Sequence, residues 1–127
     1  MIAVDTSALM AIILNEPAAD PCIALLAAEN DLLISAGTVA EALIVSARRN
    51  VGEEMERLIA GLGFEIASVT PASAHRVAAA YARRGKGVHS AGLNFGDCFA
   101  YEVAKERGCR LLYVGDDFTQ TDLEAAL

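Results

Sequence analysis

Short apolar segments alternate with helical patterns along this chain, and this alternation is the feature that most constrains its fold. Continuous apolar strands separated by helices are typical of a parallel sheet that is covered on both faces. We therefore predict an α/β fold in three layers, with a central, mostly parallel sheet and helices on both faces. The predicted strands are Met1–Val4, Leu32–Ser35, Phe64–Val69 and Leu111–Val114.

Helix breakers and capping residues divide the segments between these strands. Gly37 is interpreted as a turn, Gly63 and Gly108 as helix stops, and Pro71 suits the first turn of a helix. The one long irregular segment is residues 85–96, which contains four glycines, and such loops are often functional. Helical patterns are predicted to begin near Ala8 and to cover residues 18–29, 38–49, 53–62, 71–84 and 99–107.

Length and composition limit the class of protein. A chain of 127 residues fits a single domain over residues 1–127, and 54% hydrophobic residues exclude a mainly disordered chain. The net charge of −7 is opposite in sign to that of a protein that coats nucleic acid. The longest apolar run, Ala8–Leu14, is far below the roughly 20 residues of a membrane span, so we expect a cytoplasmic protein. The cysteines, which share no CxxC spacing and are predicted to be small core residues, are Cys22, Cys98 and Cys109.

Acidic residues follow the predicted strands or lie near the starts of helices. Asp5 directly follows the first strand, Glu41 lies one helical turn beyond the second, and Asp116 and Asp117 follow the last. Asp97 follows the glycine-containing loop in an apolar neighbourhood. Each acid taken singly fits a helix cap, a capping box or a polar turn. Ligands of such sheets bind beyond the carboxyl ends of the strands, so we expect the acids to converge there.

Convergence of several carboxylates would require a cation. At separations of ~5 Å and an effective dielectric constant near 20, each adjacent pair repels by about 3 kcal/mol. Oxygen ligands without a His or Cys partner favour Mg²⁺ or Mn²⁺ over zinc. A divalent ion held in this way can activate a water molecule for in-line attack on a phosphodiester. The acidic constellation therefore indicates nuclease chemistry.

The motifs around these acids resemble those of PIN-domain ribonucleases, and among them the VapC-like toxins of type II toxin–antitoxin modules. The resemblance implies a PIN-like fold and a metal-dependent endoribonuclease that uses Mg²⁺ or Mn²⁺. It places Asp5, Glu41 and Asp97 at the positions of the family's first three acids. The segments that carry the resemblance are Ile2–Leu9, Ser35–Glu41, Ala91–Cys98 and Leu111–Phe118.

The resemblance leaves two neighbours for the fourth acid. Many family members carry an Asp two residues after a Thr, a position that is Gly115 here. The subgroup pattern Gly-x-Asp-Phe favours Asp117, with Asp116 as the alternative ligand. Asn94 is expected to hydrogen-bond in the same pocket, although it also fits a helix cap. The hydroxyl residues expected to orient the first carboxylate or to contact phosphate are Thr6 and Ser7.

The same resemblance implies partners. It predicts an RNA substrate, a homodimer, and a cognate VapB-like antitoxin whose tail inserts an Arg toward the acidic pocket, where a guanidinium pairs with carboxylates. The alternative is a non-catalytic PIN-like module that binds metal or RNA without turnover. Basic residues that would flank the cleft, or that complement helix dipoles, are Arg48, Arg49, Arg83, Arg84, Lys86 and His89.

Overall fold

The computed structural model describes residues 1–127 and shows a four-stranded parallel sheet between two layers of helices. The strands lie in the order β3-β2-β1-β4, and every neighbouring pair is parallel. The predicted three-layer α/β fold is therefore confirmed. The strands are β1 (Ile2–Val4), β2 (Leu32–Ser35), β3 (Glu65–Ala67) and β4 (Arg110–Leu112).

Six helices cover the sheet. Those that follow β1 and β2 pack on one face, and the last two pack on each other and on the opposite face. No helix combines the length and the apolarity that crossing a bilayer would require. The helices are α1 (Thr6–Ile13), α2 (Ala19–Ala28), α3 (Ala36–Arg48), α4 (Gly52–Leu62), α5 (Pro71–Arg84) and α6 (Phe95–Arg107).

Successive side chains of the central strands enter two different cores. Ile2 and Val4 of β1 pack with α1 to α4, whereas Ala3 packs with α5 and α6. Leu33 of β2 likewise lies on the α5 and α6 side. Both faces of these strands are buried, which is why their sequences are continuously apolar. The free cysteines are buried or half-buried, as expected of small core residues.

The helices α3 and α6 begin earlier than the sequence predicts. The interpretation of Gly37 as a turn is wrong, because the hydroxyl of Ser35 accepts its N–H at 3.1 Å and begins α3 at Ala36. A Cβ at Gly37 would overlap the ring of Phe99, so this glycine allows α3 and α6 to approach closely. α6 begins at Phe95 rather than Phe99, and its first turn includes part of the segment predicted to be irregular.

Candidate active site

Asp5 lies at the carboxyl end of β1 and caps α1. Its Oδ2 accepts hydrogen bonds from the backbone N–H of Ser7 at 3.0 Å and from the Ser7 hydroxyl at 2.6 Å. Its Oδ1 is buried and has no hydrogen-bond partner. Burial raises the pKa of Asp5 to about 6 against the Ser7 hydrogen bonds, and the charges of Glu41 and Asp117 add to this rise. Capping therefore occupies one carboxylate oxygen and leaves the other free.

Asp97 lies in the first turn of α6 and is similarly divided between two roles. Its Oδ2 accepts the N–H of Asn94 at 3.0 Å, while Asn94 Oδ1 accepts the N–H of Asp97 at 2.8 Å. The side chain is buried, and burial is the main reason why the pKa of Asp97 rises to about 7. The charges of Asp5, Asp117 and Glu41 raise this pKa further. Asp97 therefore titrates near neutral pH.

Glu41 reaches the same region from the first turns of α3. Its Oε1 accepts a hydrogen bond of 2.6 Å from the hydroxyl of Thr6, at the start of α1. Gly96 of α6 lies directly against its carboxylate, and a Cβ there would overlap the carboxylate oxygens. Glu41 does not complete a capping box, because Ser35 caps α3. Its carboxylate is therefore held between the amino ends of α1 and α6.

The segment after β4 carries the remaining acids. Asp117 is exposed, and its charge raises the pKa values of both Asp5 and Asp97. The charge of Asp116 is not among the main causes of either rise, and its backbone carbonyl accepts hydrogen bonds from Thr119. The charge of Asp117 therefore acts more strongly on Asp5 and Asp97 than the charge of Asp116 does.

The acids share the edge of the sheet formed by the carboxyl ends of its strands. No group of three or more His, Cys, Asp or Glu side chains lies close enough together to hold a metal ion as the side chains stand. The site is instead an open group of carboxylates that influence one another through their charges. Its members are Asp5, Glu41, Asp97 and Asp117.

The hydroxyl of Ser7 links two strands at this edge. It donates to Asp5 and accepts the N–H of Val114, which follows β4, at 3.0 Å. The backbone N–H of Asp5 in turn donates to the carbonyl of Leu112 at 2.9 Å. The chain that leaves β4 toward Asp117 is therefore tied directly to the start of α1. The sequence indicated a supporting role for Ser7 but not this second contact.

Only some of the basic residues expected to flank the cleft are free of salt bridges. Arg84 lies 3.6 Å from a carboxylate oxygen of Asp122 and stacks over Tyr101. Arg83 and Lys86 are exposed and make no salt bridge, and the same holds for the two arginines at the end of α3. The N–H of Lys86 donates to the carbonyl of Leu93, which directly precedes the Asn94 cap of α6. The backbone of Lys86 therefore lies near the start of the helix that carries Asp97.

Sequence comparison identifies the family. The PIN domain matches residues 2–124, and the chain belongs to the PIN-domain family. Ribonuclease VapC36 of Mycobacterium tuberculosis is 44% identical over 125 residues, which cover 95% of this chain and 90% of the relative. Ribonuclease VapC of Mycolicibacterium smegmatis is 37% identical, with 96% and 97% of the two chains covered. The resemblance predicted from the motifs is thus confirmed.

Solved structures agree on the fold. The structure of VapC20 of Mycobacterium tuberculosis, described as a sarcin-ricin loop cleaving toxin, superposes with a TM-score of 0.79 at 16% identity and covers 97% of this chain and 96% of that one. A toxin–antitoxin complex from Klebsiella pneumoniae gives a TM-score of 0.70 at 19% identity, with coverage of 96% and 93%. These similarities show that the fold is shared.

Proposed function

We propose that this chain is a divalent-metal-dependent endoribonuclease that acts as the toxin of a type II toxin–antitoxin module. The observation that carries the proposal is the position of two buried carboxylates, Asp5 and Asp97, at the edge of the sheet beside Glu41 and Asp117. Burial raises their pKa values to about 6 and about 7, and the charges of the neighbouring acids add to the rise. The ribonuclease names of relatives that are 37–44% identical support the activity.

The residues present fit a hard divalent cation. Asp5 Oδ1 is a buried acceptor without a partner, and Glu41 and Asp117, whose charges act on Asp5, offer carboxylate oxygens as further ligands. Mg²⁺ usually retains several water molecules and takes few protein ligands, so an open carboxylate group suits it better than a closed cage would. When bound, Mg²⁺ or Mn²⁺ would supply an activated water and stabilise the leaving oxygen. The residues that would hold it are Asp5, Glu41, Asp97 and Asp117, with Asp116 as the weaker alternative.

The chain's own contribution is to orient these carboxylates before a ligand arrives. Ser7 fixes Oδ2 of Asp5, and Asn94 fixes Oδ2 of Asp97, so the second oxygen of each group remains available. Thr6 fixes one oxygen of Glu41. Such outer contacts determine the direction of a ligand's lone pairs and its basicity. Thr6, Ser7 and Asn94 are therefore proposed as orienting residues rather than as ligands.

RNA is the proposed substrate, and the names of the relatives support it. Metal-assisted hydrolysis does not use the 2′-hydroxyl, so the carboxylates alone do not distinguish RNA from DNA. An acidic chain also needs local positive charge to hold phosphates in register. Arg83 and Lys86 are exposed cations without salt bridges near the amino end of α6, and we propose that they contact the RNA backbone.

The proposed inhibitor is a VapB-like antitoxin with a basic tail. A guanidinium inserted among the carboxylates would form charge-assisted hydrogen bonds and relieve their mutual repulsion. The net charge of −7 favours a basic partner. One fold neighbour is a VapBC2 complex from Rickettsia felis bound to promoter DNA, with a TM-score of 0.71 at 18% identity and coverage of 98% and 97%. The homodimer and the cytoplasmic location remain predictions.

Cleavage of RNA by the purified chain tests the proposal. Structured RNA should be cut in Mg²⁺ or Mn²⁺ and left intact in chelator, and Asp5→Asn should abolish cleavage. Asp31→Asn is the matched control, because Asp31 is an exposed acid that precedes β2 and therefore lies at the opposite edge of the sheet. Metal-dependent binding of RNA without cleavage would instead support the non-catalytic alternative. Equal cleavage by the wild type and Asp5→Asn would reject the assigned site.

A further inference from the structure

Asp122 forms a second polar cluster outside the acidic site. Its Oδ1 accepts the hydroxyl of Tyr101 at 2.7 Å, and its Oδ2 accepts Nζ of Lys105 at 2.8 Å. Arg84 at the end of α5 lies 3.6 Å from Oδ1 and stacks over the ring of Tyr101 at 5.7 Å. Hydrogen bonds from Lys105 and Tyr101 lower the pKa of Asp122 to about 2, so this carboxylate is ionised at any physiological pH. It is thus bound to both α5 and α6.

The donors of this cluster share a helix face with a proposed metal ligand. Asp97, Tyr101 and Lys105 are spaced by four residues along α6, and residues with this spacing lie on one face of a helix. The face that presents Asp97 to the acidic site therefore also binds Asp122. Contact with Asp122 fixes the segment after β4 relative to the helix that carries Asp97.

The chain between Asp117 and Asp122 is one hydrogen-bonded unit. Phe118 is buried and packs on Tyr113, with ring centroids 5.1 Å apart. The N–H and hydroxyl of Thr121 both donate to the carbonyl of Phe118, and the same hydroxyl accepts the N–H of Leu123 at 3.3 Å. Asp117 itself is exposed and its side chain makes no hydrogen bond to the protein. Its position therefore depends on how the chain around it is held: Ser7 binds Val114 before it, and Phe118 and Asp122 anchor the chain after it.

We propose that Asp122 is a positioning residue for the metal site: its contacts with α5 and α6 hold the segment 115–122 so that Asp117 faces Asp5 and Asp97. This inference rests on the proposed function. Phe118 anchors the segment by burial, and backbone pairing of Leu111 with Glu124 and Ala126 holds the chain that follows it. Between them, Asp122 is the residue whose side chain ties the segment to α6 and α5. Exposed ion pairs contribute little to global stability. The main effect of losing Asp122 is therefore expected on metal affinity rather than on folding.

Calorimetric titration of the metal-free protein with Mn²⁺ tests this, at a pH above the pKa of Asp97. Asp122→Ala should raise the Kd for Mn²⁺ about three- to tenfold. Removal of a direct partner of a metal ligand usually weakens metal binding about tenfold or more, and Asp122 acts less directly. Tyr101→Phe should shift the Kd in the same direction by less, because Lys105 and Arg84 remain. Because Tyr101→Phe keeps the charged groups of the cluster, it tests the proposal even if Asp122→Ala does not fold.

A matched control separates positioning from general loosening. Glu29→Gln weakens the contacts of Glu29 with Arg110 and the amino terminus, which involve the other edge of the sheet. It should leave the Kd for Mn²⁺ unchanged even where it lowers Tm. A similar rise in Kd in this control would overturn the inference, because the effect would then be global.

A double-mutant cycle tests whether Asp122 acts through Asp117. In an Asp117→Asn background, Asp122→Ala should cause no further loss of Mn²⁺ affinity, because the ligand that it positions is already removed. Additive losses, or an unchanged Kd in Asp122→Ala alone, would overturn the inference, because the other contacts of the segment would then suffice to place Asp117. Failure of the wild type to bind Mn²⁺ would instead reject the proposed metal site, and the positioning role with it.

Discussion

The hydroxyl of Thr6 donates a 2.6 Å hydrogen bond to Glu41, a residue 35 positions further along the chain. The next residue, Ser7, uses its hydroxyl on Asp5 at a similar distance. Two adjacent hydroxyls in the first turn of α1 therefore serve two different acids. This division explains why a short polar run directly after β1 organises side chains that come from separate parts of the chain.

Removing the Thr6 hydroxyl should reduce cleavage without unfolding the protein. Thr6→Val leaves Glu41 free to rotate, and we expect a loss of about tenfold in cleavage rate, within the range for outer partners of a metal ligand. The stability loss should be about 1 kcal/mol, the net value of one hydrogen bond. Cleavage assays and thermal unfolding measure the two effects. Thr6→Ser restores the hydroxyl and should restore most of the rate; failure of this rescue would contradict the orienting role.

Substitution of Gly96 should displace Glu41. An added Cβ at Gly96 would overlap the Glu41 carboxylate, so Gly96→Ala forces that side chain out of the site. We expect the rate of metal-dependent cleavage to fall about tenfold or more, because Glu41 is then no longer oriented as a metal ligand. Metal-induced stabilisation measured by thermal unfolding should decrease with it.

Gly61 provides the matched control for Gly96. It lies in α4, and a Cβ there would meet nothing within 4 Å. Gly61→Ala should therefore stabilise the protein by roughly 0.5–1 kcal/mol through helix propensity alone. Cleavage should be unchanged. Wild-type activity in Gly96→Ala would show that Glu41 does not need its present position.

The sequence predicted the order of the elements better than their boundaries. β2 and α5 have the predicted limits, because apolar runs and a proline at the first helical position are local signals. The start of α6 was placed too late, since its glycine suggested a loop. Gly96 lies in the first turn of α6, which Asn94 caps, and the neighbouring Glu41 carboxylate leaves no room for a side chain at this position. The glycine thus has a tertiary cause that one segment of sequence cannot reveal.

The sequence also predicts which acids belong to the candidate site, but not how the two oxygens of each carboxylate are used. From the sequence alone, Asp5 and Asp97 each fit either a capping role or a functional role. In the structure, one oxygen of each side chain accepts a capping hydrogen bond. Asp5 Oδ1 has no hydrogen-bond partner in the protein. The role of Asp122 could not be predicted, because its contacts join helices that are remote from it in sequence.

Stability should fall as pH rises in the metal-free protein. The folded-state pKa values of Asp5 and Asp97, about 6 and about 7, lie above the ordinary aspartate value of 3.8, so the folded state binds protons more tightly than the unfolded state. This contribution is fully present below about pH 4 and is lost as pH rises through 6 and 7. Thermal unfolding in chelator should show Tm decreasing by several degrees across this range.

Mn²⁺ should reverse that trend. The ion competes with protons for the same carboxylates, so its stabilising effect should increase with pH as Asp5 and Asp97 ionise. Tm measured with and without millimolar Mn²⁺ should therefore diverge most above neutral pH. A metal-induced rise that is as large below pH 5 as above pH 7 would contradict binding at these two carboxylates.

Asp97→Asn should separate activity from stability. The amide can still accept the N–H of Asn94, but it cannot ionise, so the repulsion from Asp5, Glu41 and Asp117 disappears. We expect cleavage to fall at least about a hundredfold, the scale of loss when a group that acts at the reacting centre is removed. In chelator above neutral pH, Tm should rise above that of the wild type, and Mn²⁺ should no longer increase it.

Asp116 and Asp117, the two acids that follow β4, provide an internal comparison for Asp97→Asn. Asp117→Asn should lower the pKa of Asp97, because the Asp117 charge is one cause of its present rise, and should reduce cleavage strongly. Asp116→Asn should change both quantities less, because the charge of Asp116 is not among the main causes of this rise. NMR titration of the Asp97 carboxyl and cleavage assays of both variants measure these effects. The opposite ranking would make Asp116 the fourth acid and would require the turn at residues 115–118 to reorganise when metal binds.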